Sequence, residues 1–316
     1  MSALRGRGLW PLVAAMACWG GENAAAKYAL GGLPAMTVLV VTLATGTAVM
    51  WAVLLVKGHR RPVAMGRLAL LGLLEPTLTY AAVDLGLTRT QASQASLLAG
   101  TESCFVIALG AAVTRRRPAR RVVAGVALAF AGVAALGGSQ PGPGLNAGDL
   151  LVLAGSLAAA VYVTLASRVV EEVPPLPMTA YQFAFGLLFS LPLAAWQWAA
   201  GGRIATGAAG PGHWVAAVGC GVGFAAAFLL YNYAITRVSV GAAGIALNLI
   251  PLFGLLAAVL ALGEAVTRWQ LLGAALILGG LALFSDPDQQ TDTRPADRPP
   301  PAESHRLTSP SSTGSP

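Results

Sequence analysis

The chain has 316 residues, of which 56% are hydrophobic and only 10% charged, with a formal net charge of +7. Globular domains are nearer a quarter charged, so a soluble fold has little room. The basic surplus sits in short hinges instead of the patch or stripe that a nucleic-acid partner needs. Cys18, Cys104 and Cys220 all fall within apolar runs, which reads as packing rather than a disulfide framework or a metal site, and no cofactor is implied.

Roughly twenty apolar residues cross a bilayer as helix, and the chain before Ser285 divides into about ten such windows. They run over 9–29, 35–56, 67–86, 93–113, 121–138, 149–167, 178–199, 214–235, 240–262 and 269–285. The expected fold is therefore an all-α integral membrane protein of ten transmembrane helices. At the start, Arg5 and Arg7 before an apolar run imitate a cleaved signal peptide. Glu22 and the apolar character resuming through Leu30 fit a first transmembrane helix better. Gln140-Pro141-Gly142-Pro143-Gly144 falls within a connector over 139–148, and Pro174, Pro175 and Pro177 break the chain before the seventh span. After Ser285 the chain turns to Asp, Thr, Ser, Pro and Arg, and 286–316 reads as a disordered cytoplasmic tail.

Subtracting 148 lays Gly273 on Gly125, Gly280 on Gly132 and Arg237 on Arg89. A repeat that long suits two similar membrane halves, 1–138 and 149–285. Five helices per half is an odd number, so the halves enter the membrane from opposite sides and form two inverted five-helix repeats. Such a fold has two arrangements of similar energy, the mechanical basis of alternating access. An even helix count puts both termini on one side. With the N-terminus in the cytoplasm, Arg5, Arg7, Lys57, Arg60, Arg61, Arg67, Arg115, Arg116, Arg117, Arg120, Arg121, Arg168 and Arg237 lie inside and only Arg89, Arg203 and Arg268 in outer hinges. That excess predicts a plasma or inner membrane protein with both ends cytoplasmic. Trp10, Trp51, Trp196, Trp198, Trp214 and Trp269 fall near span ends as an aromatic belt. Trp19 alone lies near mid-membrane, where its N–H needs a partner, and it is a cavity-lining candidate.

Glu22, Glu75 and Glu102 lie well inside spans one, three and four, where a charge costs at least about 2.5–3.5 kcal/mol on insertion scales. Each either serves a cavity or braces helices in neutral form. A carboxyl withdrawn from water favours its neutral form, so such a residue can take up and release protons near neutral pH. Glu102, near the midplane of its span, ranks first as a proton-coupling group and Glu22 second. Glu75 precedes Pro76 and serves a helix kink as readily as a solute. Asn23 shares a helix face with Trp19 and Lys27. Lys27 either snorkels to the interface, or holds an anionic group or pairs with Glu22. Asn248 and Pro251 interrupt an apolar run and are cavity candidates with a packing kink as the alternative; Tyr231, toward the inner end of span eight, is a cavity candidate with an interfacial aromatic role as the alternative.

Asn248-Leu249-Ile250-Pro251, Gly263-Glu264 and the run Leu272 to Gly280 resemble the end of an EamA domain of the drug/metabolite transporter superfamily. The resemblance covers about residues 9–285 and is worn in the first half, where Ser103 replaces the proline and Arg115-Arg116 the glycine-glutamate. Trp19-Gly20 with Lys27 resembles the family's first-helix pattern, and Glu102 resembles the glutamate that often precedes the proline. The resemblance implies a secondary carrier, an exporter of small metabolites, amino-acid-like solutes or drugs. Its partners are the lipid bilayer, a small-molecule substrate and protons, and a homodimer stays open. Two other classes compete: a membrane-embedded enzyme and a non-transporting sensor. The chain shows no Gly-x-Ser-x-Gly, His-Glu-x-x-His or phosphate-binding Gly-Lys-Ser/Thr loop, and its histidines, His59, His213 and His305, lie in hinges or the tail.

Overall fold

With no water to bond them, backbone groups in long runs of Leu, Ala, Val and Gly must satisfy one another, and helix does so within a single segment. The computed structural model describes residues 2–58, 64–115, 117–139, 144–169, 172–200, 204–235, 237–238 and 246–284, and no strand occurs among them. Its helices are α1 (Ser2–Ala29), α2 (Ala35–Val56), α3 (Met65–Gly72), α4 (Thr79–Leu87), α5 (Ala92–Ala99) and α6 (Glu102–Thr114), then α7 (Arg120–Leu136), α8 (Ala147–Val169), α9 (Pro175–Ala199), α10 (Pro211–Ile235), α11 (Ile250–Leu262) and α12 (Arg268–Phe284). Among the described residues, six helical segments are long and apolar enough to cross a membrane, with α11 and α12 shorter apolar helices. The tail over 286–316 and residues 140–143 of the connector lie outside the described residues.

Three of the ten expected spans are interrupted. The third divides into α3 and α4 at Glu75, whose backbone is extended at φ −139° and ψ 120°. Pro76 supplies the cause, since its ring displaces the preceding residue from helical angles and it has no N–H to donate. The fourth divides into α5 and α6 at Gly100 and Thr101. There the ladder tightens to three-residue steps, Gly100 N–H to Leu97 O at 3.2 Å and Thr101 N–H to Leu98 O at 3.0 Å. The ninth breaks at the turn of Asn248 and Leu249, between the helical Ala246-Leu247 and α11, which starts at Ile250. The start of that span, 241–245, lies outside the described residues. Pro251 occupies the first turn of α11, where a missing N–H costs nothing.

Packing follows small residues. Helices α7 and α12 run antiparallel with their backbones in contact: a methyl added at Gly132 would fall 2.8 Å from Gly273 O, and one at Gly280 would collide with Gly125 O. Only glycine permits that approach. Helix α1 lies along α10 and α11, α2 along α9, and α4 along α8. The largest core joins Leu87 of α4, Leu97 and Leu98 of α5, Leu136 of α7, Val152 of α8 and Ile277 of α12. One numerical relation recurs. Adding 148 to the bounds of α6 gives those of α11, and adding 148 to those of α7 gives those of α12. The residue closing α6, Arg115, has a left-handed backbone at φ 53°, and Gly263, which closes α11, has φ 67°.

Candidate functional site

The helix interruptions place two of the three membrane carboxyls. Glu75 is the extended residue between α3 and α4, and Glu102 is the first residue of α6 after the tightened turn. A cavity of about 210 Å³ lies between them, and Glu22 from α1 completes its acidic lining. Trp19 and Asn23 of α1, Thr79, Tyr80 and Val83 of α4, Ser156 of α8, Phe228 of α10 and Ile250 of α11 also line it. Among the described residues, no Lys, Arg or His does. Thus Glu22, Glu75, Glu102, Trp19 and Asn23, picked out from three separate stretches of sequence, border one space. Glu75 and Asp84 each lie within charge–charge range of Glu22, and Glu102 lies within that range of Glu75.

The aromatic wall is ordered by ring contacts. Trp19 meets Phe228 edge-on at 5.1 Å between centroids and Tyr231 at 5.5 Å, geometries that ring quadrupoles favour. Asn23 Nδ2 donates to Ser96 Oγ at 3.1 Å, tying α1 to α5 beside the cavity.

The remaining candidates stand outside the lining. Tyr231 backs Trp19 from behind. Pro251 is buried against the interruption of span four, where a methyl on Gly100 would come 3.0 Å from its Cγ. Asn248 is half-buried in the turn between Leu247 and Ile250, both of which do line the cavity. Lys27 neither snorkels free nor meets Glu22. Its ammonium donates to Leu87 O at 2.5 Å and Thr90 O at 2.8 Å, where α4 ends and its carbonyls lack helical partners.

Lys27 belongs to a polar clamp around the hinge between α4 and α5. Glu264, from the turn before α12, accepts the N–H groups of Ala92 and Ser93 at 2.8 and 2.9 Å, the open donors at the start of α5. Thr90 Oγ1 donates to the buried Asp149 at 2.5 Å, and Gln270 Nε2 donates to Gln91 Oε1 and Ser93 Oγ at 2.9 and 3.1 Å. Four elements thus grip one hinge. Sequence reasoning missed this role for Glu264, Asp149 and Gln270, and also missed Asp84, which is 4% exposed beside Glu22. An acid four residues after Tyr80 on one helix face was the available signal for Asp84. Among the described residues, no group of three His, Cys, Asp or Glu could hold a metal ion.

Helical throughout its described residues, with six membrane-length apolar segments among them and a cavity bordered by three carboxyls, the chain is a multi-pass membrane protein. The model of the EamA-like transporter family matches it twice, over residues 6–138 and 146–286, and the chain belongs to that family. An uncharacterized transporter of Archaeoglobus fulgidus is 29% identical over 236 residues, 71% of this chain and 77% of that one. A protein of Streptantibioticus cattleyicolor, named "Probable terminal-alkyne amino-acid exporter", is 25% identical over 288 residues, 88% of this chain and 93% of its own. A crystal structure named only as that of a protein superposes with a TM-score of 0.61 at 21% identity, covering 88% of this chain and 96% of that one, a likeness of fold alone. The function is that of a transporter.

Proposed function

We propose that this transporter is a secondary carrier that exports a small amine-bearing, amphipathic solute of amino-acid dimensions by alternating access, in exchange for protons. The observation that carries the reading is the convergence of Glu22, Glu75 and Glu102 with Trp19 on one cavity that, among the described residues, no basic side chain lines. Carboxylates without cationic neighbours repel one another, and a proton or a substrate ammonium relieves that repulsion. The two therefore compete for the same groups, and competition is coupling. Drug-sized ligands occupy pockets of about 300–1,000 Å³; a cavity of about 210 Å³ suits a metabolite better. The amino-acid exporter among the relatives supports the same solute class.

Alternating access requires two arrangements, and we infer an inverted repeat of two five-helix halves as their source. The shared bounds of α6 and α11 and of α7 and α12 at an offset of 148 support it, as does the left-handed residue closing α6 and α11. The glycine contacts support it too, because the offset exchanges the pair Gly125–Gly280 with the pair Gly132–Gly273. With both termini in the cytoplasm, the clamp around 87–93 seals the outer face in this conformation. Glu102 is the first proton-coupling group in this reading and Glu22 the second.

The direct test compares the medium of overproducing and deleted cells by metabolomics, then follows the enriched amine into proteoliposomes under an imposed proton gradient. Accumulation that requires the gradient supports the reading; an enriched solute that moves only down its own gradient removes the coupling. A purely anionic set of exported solutes removes the substrate class.

A further inference from the structure

Glu75 borders a second space as well. A cavity of about 10 Å³ lies against it, lined by Glu75, Pro76, Tyr162, Gln182 and the rings of Phe183, Phe224 and Phe228. Gln182 is 3% exposed. Its Oε1 accepts from the Tyr162 hydroxyl at 3.4 Å, while its Nε2 has no partner. The phenylalanine rings pack on one another, Phe224 at 4.9 Å from Phe183 and 5.1 Å from Phe228, and offer that amide no acceptor. A water molecule needs roughly 10–15 Å³ of such space and two to four polar partners. The space reaches that lower bound, and a carboxyl, an amide and a hydroxyl stand around it.

We propose that this cavity binds one water molecule, which accepts from Gln182 Nε2 and donates to the Glu75 carboxylate, with the Tyr162 hydroxyl as third partner. Gln182 and Tyr162 are then positioning residues. They hold the Glu75 carboxyl at the boundary of the two cavities while a solute fills the larger one, so the proposal rests on reading that larger cavity as the solute site. The ionisable groups facing Glu75 are Glu102 of α6, Glu22 of α1, Tyr80 of α4 and Tyr162 of α8, with Asp84 beyond Glu22. None is basic. With no cation of the described protein beside it, a charge on Glu75 draws on hydrogen bonds until a solute ammonium arrives, and the water supplies one from the side that the solute leaves free.

X-ray radiolytic labelling of the full chain in lipid nanodiscs tests the water directly, because bound water is activated in place and modifies the side chains beside it. It needs no moving solute or proton, so a missing water and a failed transport reading give different results. Tyr162 is expected to be modified as fast as the exposed Tyr233. The Gln182→Met variant, whose apolar side chain fills the space, should lower that rate at least about tenfold. A native Tyr162 as unreactive as the buried Tyr181 overturns the water site. The positioning role is read separately with dicyclohexylcarbodiimide, which attacks the protonated carboxyl. Labelling of Glu75 at neutral pH should rise about tenfold in Gln182→Met, and Gln182→Asn, which keeps an amide and room for water, should return it toward the native rate. Equal labelling of Glu75 in the native chain and Gln182→Met overturns that role.

Discussion

Lys27 and Glu264 hold opposite ends of the same hinge. The ammonium takes the carbonyls of Leu87 and Thr90 where α4 stops, and the carboxylate takes the N–H groups of Ala92 and Ser93 where α5 starts. Each charge meets the helix end whose dipole it complements. Removing either leaves two backbone groups without their charged partner, a loss of about 1–3 kcal/mol. Lys27→Met and Glu264→Leu are each expected to lower the melting temperature of the purified protein and to speed thiol labelling of a cysteine placed at Gln91. Unchanged labelling in both variants would show that the clamp does not restrain the hinge.

Orientation can be read from outside intact cells. A single cysteine at Ser139 or Ala209 should react with an impermeant maleimide, and one at Ser304 should react only after the membrane is opened. The reverse pattern would sink the proposal that both ends are cytoplasmic.

Glu102→Gln keeps the shape of the side chain and removes its titration. The expected variant still exchanges the exported amine across proteoliposomes but no longer accumulates it against a gradient, and its rate loses most of its dependence on pH. Accumulation at the native level, with the native pH profile, would leave Glu102 structural and move the same experiment to Glu22.

Trp19 borders the cavity and touches Phe228 edge-on, so an occupant should alter its emission. In a variant that keeps Trp19 as its sole tryptophan, the exported amine is expected to quench fluorescence with the concentration dependence of transport. Full transport with no spectral change would make Trp19 a packing residue.

The α7–α12 contact predicts a steep penalty for bulk. Gly132→Leu must displace either the Gly273 carbonyl or Ile277, and overpacking of that kind costs about 1–3 kcal/mol. Replacing the exposed Gly66, around which nothing lies within 4 Å, with Ala is the control expected to leave the melting temperature within a degree or two of native.

How much of this was legible in the sequence varies with the physics involved. Membrane-length apolar runs are a one-dimensional signal, and the helices follow them closely: α2 has the very bounds 35–56. The carboxyls announced themselves by cost, since three glutamates in apolar runs demand an explanation that a surface glutamate does not. The interruption at Glu75 was foreshadowed by Pro76. The one at Gly100 was not, because Ser103 gives no proline signal and the residue packed against the tight turn, Pro251, comes from another helix. Lys27 and Glu264 were harder still: their partners are backbone groups of a hinge 60 or more residues away in sequence from both, and main-chain acceptors leave no mark in residue identity.

At the turn that closes α6, the chain holds Arg115 in a left-handed conformation that Gly263 adopts without strain at the end of α11. For a residue with a Cβ that geometry costs about 1–2 kcal/mol, so two corners that the proposed repeat makes equivalent follow different criteria. Gly263 follows local comfort. Arg115 opens a cluster with Arg116, Arg117, Arg120 and Arg121; under the proposed topology that cluster lies on the cytoplasmic side, where it would serve as an address read while the helix enters the bilayer, at the expense of strain that the folded protein keeps.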